Sequence, residues 1–159
     1  MELEFSGTGR EVVQLAVPAQ CMTFRLGAQY YAVDILVVQE LRRYSTPTAL
    51  PDAPAHISGV INLRGAVVPV LDLRMRFGLD ATLDRLTVII VVAVRGKNVG
   101  LVVDEVTNVL KLGPETVRKP PVLARHVDSS FILGLAPQGE QLVTLLDIDK
   151  LVAGELGVE

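Results

Sequence analysis

Chemistry would have to come from two histidines, one cysteine, a few serines and 18 acidic residues in a chain of 159. A zinc centre needs three or four ligands gathered by short spacings. His56 and His126 instead stand far apart, each in a proline-containing connection. Ser45, Ser58, Ser129 and Ser130 lack a nucleophile-elbow context and have no nearby His and Asp to activate them. Cys21, in "AQCMTFRL", falls in a predicted strand and reads as a small buried hydrophobe. The segment "GTGREV" follows no strand, so it is not a phosphate-binding turn. Asp104 and Glu105 are neighbours in a predicted strand, which points their side chains to opposite faces and removes them as an acid–base pair. Asp72 and Asp147 each precede a short helical pattern and are predicted helix caps. No catalytic residue, metal or cofactor is expected, and the chain is not expected to be an enzyme.

What remains is charge that burial does not explain. Residues 57–77 read "ISGVINLRGAVVPVLDLRMRF". Val60, Ile61 and Leu63 on one side and Val67, Val68, Val70 and Leu71 on the other predict buried flanks around Arg64-Gly65. Gly65 can take the positive φ of a tight turn, which puts Arg64 in water. Taken alone, that is also what an ordinary solvated turn arginine offers. Glu40, in "VVQELRR", is the acidic residue of most interest, although an outward strand position beside Arg42 and Arg43 would account for it too.

The elements that must position these residues are β-strands. The chain is 50% hydrophobic and only 4% aromatic, with no tryptophan, so a valine-rich aliphatic core is expected. A net charge of −3 gives no basic face for nucleic acid. One cysteine excludes an intramolecular disulfide. The start "MELEFSGTGREVV" lacks the basic and apolar regions of a signal peptide. The greasiest run, "LTVIIVVAV", is too short to cross a bilayer as a helix and reads as a buried strand. A cytoplasmic protein without direct membrane insertion is expected.

The chain runs through one plan twice. "CMTFRLG", "YYAVDI" and "VVQELRR" are followed by a proline-rich connection, a hairpin and "DLRMRFG". "LTVIIVVAV", "KNVGLVVDEV" and "TNVLKL" are followed by a second proline-rich connection, the hairpin of "FILGLAPQGEQLVTLLDI" and "DIDKLVAG". At a constant offset of 75, Ile57 matches Ile132, Gly59 matches Gly134, Val68 matches Val143, and Leu71-Asp72 match Leu146-Asp147. Gly78 and Gly154 are placed to end the two helices. The expected organisation is an arm over residues 1–18, a domain over 19–154 and a tail over 155–159. The domain divides into subdomains of about 19–82 and 83–154, each a small five-stranded β-barrel with a terminal helix.

"FRLGAQYYAVDILVVQEL", "ISGVINLRGAVVPVLDLRMRFG" and "GLVVDEVTNVL" resemble, in order and spacing, the bacterial chemotaxis coupling family, CheW. The resemblance runs from about residue 20 to about 153, and "NLRGxVVPVxDLR" is its most specific block. It implies an all-β fold of two SH3-like subdomains. It also implies a stand-alone adaptor, monomeric when free, that bridges the cytoplasmic tip of transmembrane chemoreceptors to the regulatory domain of the histidine kinase CheA in membrane-associated arrays. The resemblance implies a receptor-binding surface in which Glu40 and Arg64 face each other, with Val38, Gly59, Val88, Gly100, Val106 and Val109 around them. The glycines there would let a receptor helix approach the backbone. Gly65 and Val67 at the hairpin tip, and Phe131 at an exposed end of the second subdomain, are the expected kinase contacts. A coupler for a pathway with non-flagellar output, and a small enzyme with an unrecognised site, are the alternatives.

Overall fold

The computed structural model describes residues 17–119 and 130–156. The arm up to residue 16, Pro120, Pro121, His126 and Ser129 lie outside the described residues. Within them the chain runs β1 (Gln20–Leu26), β2 (Gln29–Asp34), a 3₁₀ turn (Ile35–Val37), β3 (Val38–Arg43), β4 (Ile57–Leu63), β5 (Ala66–Asp72) and α1 (Leu73–Arg76). It continues through β6 (Val88–Val94), β7 (Lys97–Val103), β8 (Glu105–Lys111), a 3₁₀ turn (Pro114–Thr116), β9 (Ile132–Gln138), β10 (Gln141–Leu146) and α2 (Ile148–Leu156). The fold class is the expected one, mainly β with two five-stranded sheets.

The sheets do not follow the two halves of the sequence. One has the order β8-β1-β2-β10-β9 and the other β3-β6-β7-β5-β4. The expected division near residue 82 is therefore replaced by an exchange. Each copy's first hairpin, β1–β2 or β6–β7, joins the last three strands of the other copy. One of the two joints in each sheet is parallel, with Val70 opposite Gly100 in one and Leu145 opposite Ala32 in the other. A parallel pair needs a long crossover, and in a duplicated chain either copy can supply it. Strand periodicity is the same for both pairings, so the sequence carried no sign of which was used. Unit two comprises Phe24–Gln29 and Leu36–Thr107; unit one holds the residues up to Thr23, Tyr30–Ile35 and those from Asn108 on.

The duplication itself is repeated in the hydrogen bonding. Thr48 bridges Val60 across the outer edge of β4, and Arg118 bridges Leu135 across that of β9. Asp72 N–H donates to His56 O at 2.8 Å, and Asp147 N–H to Phe131 O at 2.7 Å. Val60 and Leu135, Asp72 and Asp147, and His56 and Phe131 all keep the offset of 75, whereas Thr48 and Arg118 differ by 70. Thr48 and Arg118 thus cover part of the β4 and β9 edges, which would otherwise present unpaired backbone groups.

The local chemistry is as simple. Arg64-Gly65 has φ of 51° and 87°, and Arg95-Gly96 has 51° and 79°. Both are two-residue loops with positive φ throughout, the geometry that matches strand twist in a hairpin. Asp72 caps α1 by accepting from Arg74 N–H at 3.0 Å. Asp147 caps α2 by accepting from Lys150 N–H at 3.2 Å. Gly78, with φ of 75°, follows α1 as expected. Gly154 does not end α2, which continues to Leu156 and takes the start of the expected tail with it. Gly154 thus has residues beyond it to continue the helical hydrogen bonding.

Each unit has its own aliphatic core. In unit one it gathers Cys21, Ala32, Leu112, Val117, Ala136, Val143 and Leu145. In unit two it gathers Ile61, Leu63, Val68, Val70, Ile89, Val91 and Val102.

Candidate interaction surface at the hairpin tip

Glu40 stands on β3 just after a bulge between Val38 and Glu40 in the pairing with β6. A bulge inserts an unpaired residue and re-aims the side chains that follow. Arg64 stands at the tip of the β4–β5 hairpin, where Asn62 Oδ1 accepts from Gly65 N–H at 2.9 Å and braces the turn. Arg64 Nη2 donates to Glu40 Oε2 at 2.8 Å. Since β3 and β4 are the two edges of unit two's sheet, the ion pair links those edges. The Arg64 side chain is 71% exposed and that of Glu40 26%. The charge is therefore presented outward.

The predicted site residues fall into three groups. Glu40, Val91, Gly100, Val70 and Gly59 form one row across unit two's sheet, so three of them, Glu40, Gly59 and Gly100, share a register. Both glycines are buried, and the space they leave is taken by the unit itself. A Cβ on Gly59 would run into the Thr48 carbonyl, and one on Gly100 would stand 2.9 Å from Ile89 Cγ2. The space beside their missing Cβ atoms is thus filled by internal packing. Val38, Val88 and Val106 are half-buried strand residues. Val109, in unit one, is exposed.

At the tip, Gly65 is exposed and Val67 is 73% exposed, which corrects the expectation that Val67 lies in a buried flank. Val67 pairs with Asn62, and both are exposed, next to the buried pair Val68 and Ile61. Phe131 is 9% exposed, so the expected exposed end of the second subdomain is not at this residue. Phe131 lies directly before β9, and its backbone carbonyl accepts from Asp147 N–H.

A charged cluster escaped the sequence reading. Arg74, on α1, has a side chain only 1% exposed. It donates from Nε and Nη2 to the two oxygens of Asp72, each at 2.9 Å, and from Nη1 to Asp104 Oδ1 at 3.0 Å. These bonds, Asp72 first, hold its guanidinium protonated still more firmly than usual. Asp104 is not in a strand. It occupies the bend between β7 and β8, and both it and Glu105 reach Arg25, at 3.9 and 3.2 Å. This corrects the opposed orientation expected of two strand neighbours. The sequence signal available was an arginine two residues after a capping aspartate.

Cys21 is buried and its thiol is pushed up to about 12, by burial first and then by Asp34. Among the described residues no three His, Cys, Asp or Glu side chains stand where they could hold a metal ion, and no helix is long and apolar enough to cross a membrane.

The CheW-like domain family model matches residues 20–155. The chain is 40% identical over 140 residues to Chemotaxis protein CheW of Klebsiella aerogenes, covering 87% of this chain and 84% of the relative. It is 31% identical over 141 residues to Chemotaxis protein CheW of Treponema pallidum, covering 86% and 83%. Its fold is similar to the crystal structure of the scaffolding protein TtCheW from Thermoanaerobacter tengcongensis, with a TM-score of 0.74 and 31% identity over 82% of this chain and 89% of that one.

Proposed function

The chain belongs to the CheW-like domain family, a family of non-catalytic chemotaxis scaffolds, and from that premise we propose that it couples the cytoplasmic tip of chemoreceptors to the regulatory domain of the histidine kinase CheA at membrane-associated arrays. The observation that carries the reading is the Arg64–Glu40 pair. An exposed pair adds little stability, so the charges are free to serve recognition. Glu40 and Arg64 read the receptor by charge. Val38, Val88, Val106 and Val109 offer apolar contact, and Gly59 and Gly100 shape the sheet beneath. Exposed Gly65 and Val67 serve the kinase. Phe131, being buried, supports its strand and contacts no partner directly.

The test is reconstitution of receptor fragment, CheA and this protein, with kinase activity as readout. Arg64→Glu places two like charges together and removes the positive charge from the tip. It should abolish receptor-stimulated kinase activity in a protein that still melts cooperatively. The double variant Glu40→Arg with Arg64→Glu separates the roles. Partial recovery means the pair itself is needed, and none means that each charge reads the receptor. Wild-type stimulation by Arg64→Glu would refute the proposed site.

A further inference from the structure

Arg74 is held by a network wholly within unit two. All three guanidinium nitrogens are used: Nε and Nη2 on Asp72, and Nη1 on both Asp104 and the Thr82 carbonyl, at 3.0 and 2.6 Å. Asp104 is held on every side. Its Oδ1 accepts from Arg74, its Oδ2 from Gly27 N–H at 2.7 Å, and its own N–H donates to Arg25 O at 3.1 Å. Arg25 then reaches forward, donating from Nε to Glu105 Oε1 at 3.2 Å. The first residues of β8 therefore leave the bend in a direction set by one buried guanidinium and the carboxylate it grips.

The second copy does not repeat the guanidinium. The duplication puts Asp149 at the position of Arg74, in the second residue of α2. α2 buries Ile148, Leu151, Val152 and Ala153. Taking charges out of water is costly, and replacing such a pair by well-packed apolar residues is often neutral or stabilising. What a saturated guanidinium adds is direction, since its planar fork bonds only where its acceptors stand.

We propose that Arg74 is a positioning residue for receptor coupling: through Asp104 it fixes the start of β8 and so the placement of Val106. The inference rests on the proposed receptor role of Val106. Arg74 touches no partner, and its effect passes through the bend.

Three measurements on the full-length protein test it: affinity for the cytoplasmic fragment of the cognate receptor, affinity for the CheA regulatory domain, and amide exchange across β8. Arg74→Met keeps the side-chain length and removes the fork. Asp104→Asn keeps the shape and an acceptor for Arg74, but turns an N–H donor toward Gly27, or the reverse. It carries the same test if the first variant unfolds. Each variant should lose about tenfold in receptor affinity (about 1.4 kcal/mol), keep its affinity for the kinase domain within about twofold, and lose exchange protection at residues 105–107 but not at 66–70. Arg74→Lys, which keeps the charge without the fork, should not restore receptor affinity. Unchanged receptor affinity in a folded variant overturns the inference alone. So does a parallel loss for both partners, which marks general destabilisation. If the wild-type protein itself fails to bind the receptor fragment, the proposed function falls and the inference with it.

Discussion

Replacing Arg64 by asparagine separates what the residue does for the fold from what it does for recognition. Arg64 has φ of 51°, a left-handed conformation that costs an ordinary side chain roughly 1–2 kcal/mol. Asparagine tolerates it, and Asn-Gly is the preferred pair for a loop of this kind. Arg64→Asn therefore recovers part of that cost. Against this stands the lost pair with Glu40, worth about 0.2–1 kcal/mol for a side chain 71% exposed. The sum is within about 1 kcal/mol of zero, on the stabilising side. For a chain of this length that moves Tm by no more than about 2–4 °C, upward if at all. The assay is a thermal melt beside receptor-stimulated CheA activity. Arg64→Asn should melt with or above wild type and fail to support stimulation. A Tm lowered by more than about 5 °C would show that the pair holds the sheet edges together, and full stimulation would show that the charge is not read.

Gly59→Ala should destabilise the protein by at least about 2–3 kcal/mol, seen in a urea melt, because φ is 140° and the new Cβ meets the Thr48 carbonyl. The Cys21 thiol, raised from 9.0 to about 12, should resist a thiol reagent at pH 8 in the folded protein and react at once in denaturant. Because the folded state holds that proton the longer, its contribution to stability is complete below about pH 9 and is lost as pH rises toward 12, which a melt across that range will record. A fragment of residues 20–80 should fail to fold, since it pairs the first hairpin of one sheet with three strands of the other. Residues 36–107 carry β3 to β7 and should give a dispersed spectrum.

The strands, caps and hairpins could be read from the sequence because each is fixed by neighbours in the chain. Alternation sets β3, Arg64-Gly65 sets its own turn, and Asp72 caps the helix it precedes. The Glu40–Arg64 pairing came with the family resemblance and is seen here at 2.8 Å. The exchange of hairpins could not be read, because in a duplicated chain both pairings satisfy the same alternation. An absent Cβ at Gly59 or Gly100 shows only that something approaches, and what fills that space in the structure is the unit's own Thr48 or Ile89. Arg74 was missed because its partner Asp104 lies 30 residues away, across a bend that looked like continuous strand.

The exchanged hairpin also imposes an order of events on a chain made from its N-terminus. Ala32 of β2 leaves the ribosome early, yet its partner Leu145 follows only after almost the whole protein has been made. At ordinary rates of elongation the wait is on the order of ten seconds. In that interval β3 to β7 emerge in sequence and can close their own sheet, each strand meeting its partners as they appear. The β1–β2 hairpin meanwhile presents a backbone edge that any newly made β10 can fill, including one on a neighbouring ribosome. The speed of translation across the last third of the message therefore governs whether this hairpin finds the end of its own chain or that of another.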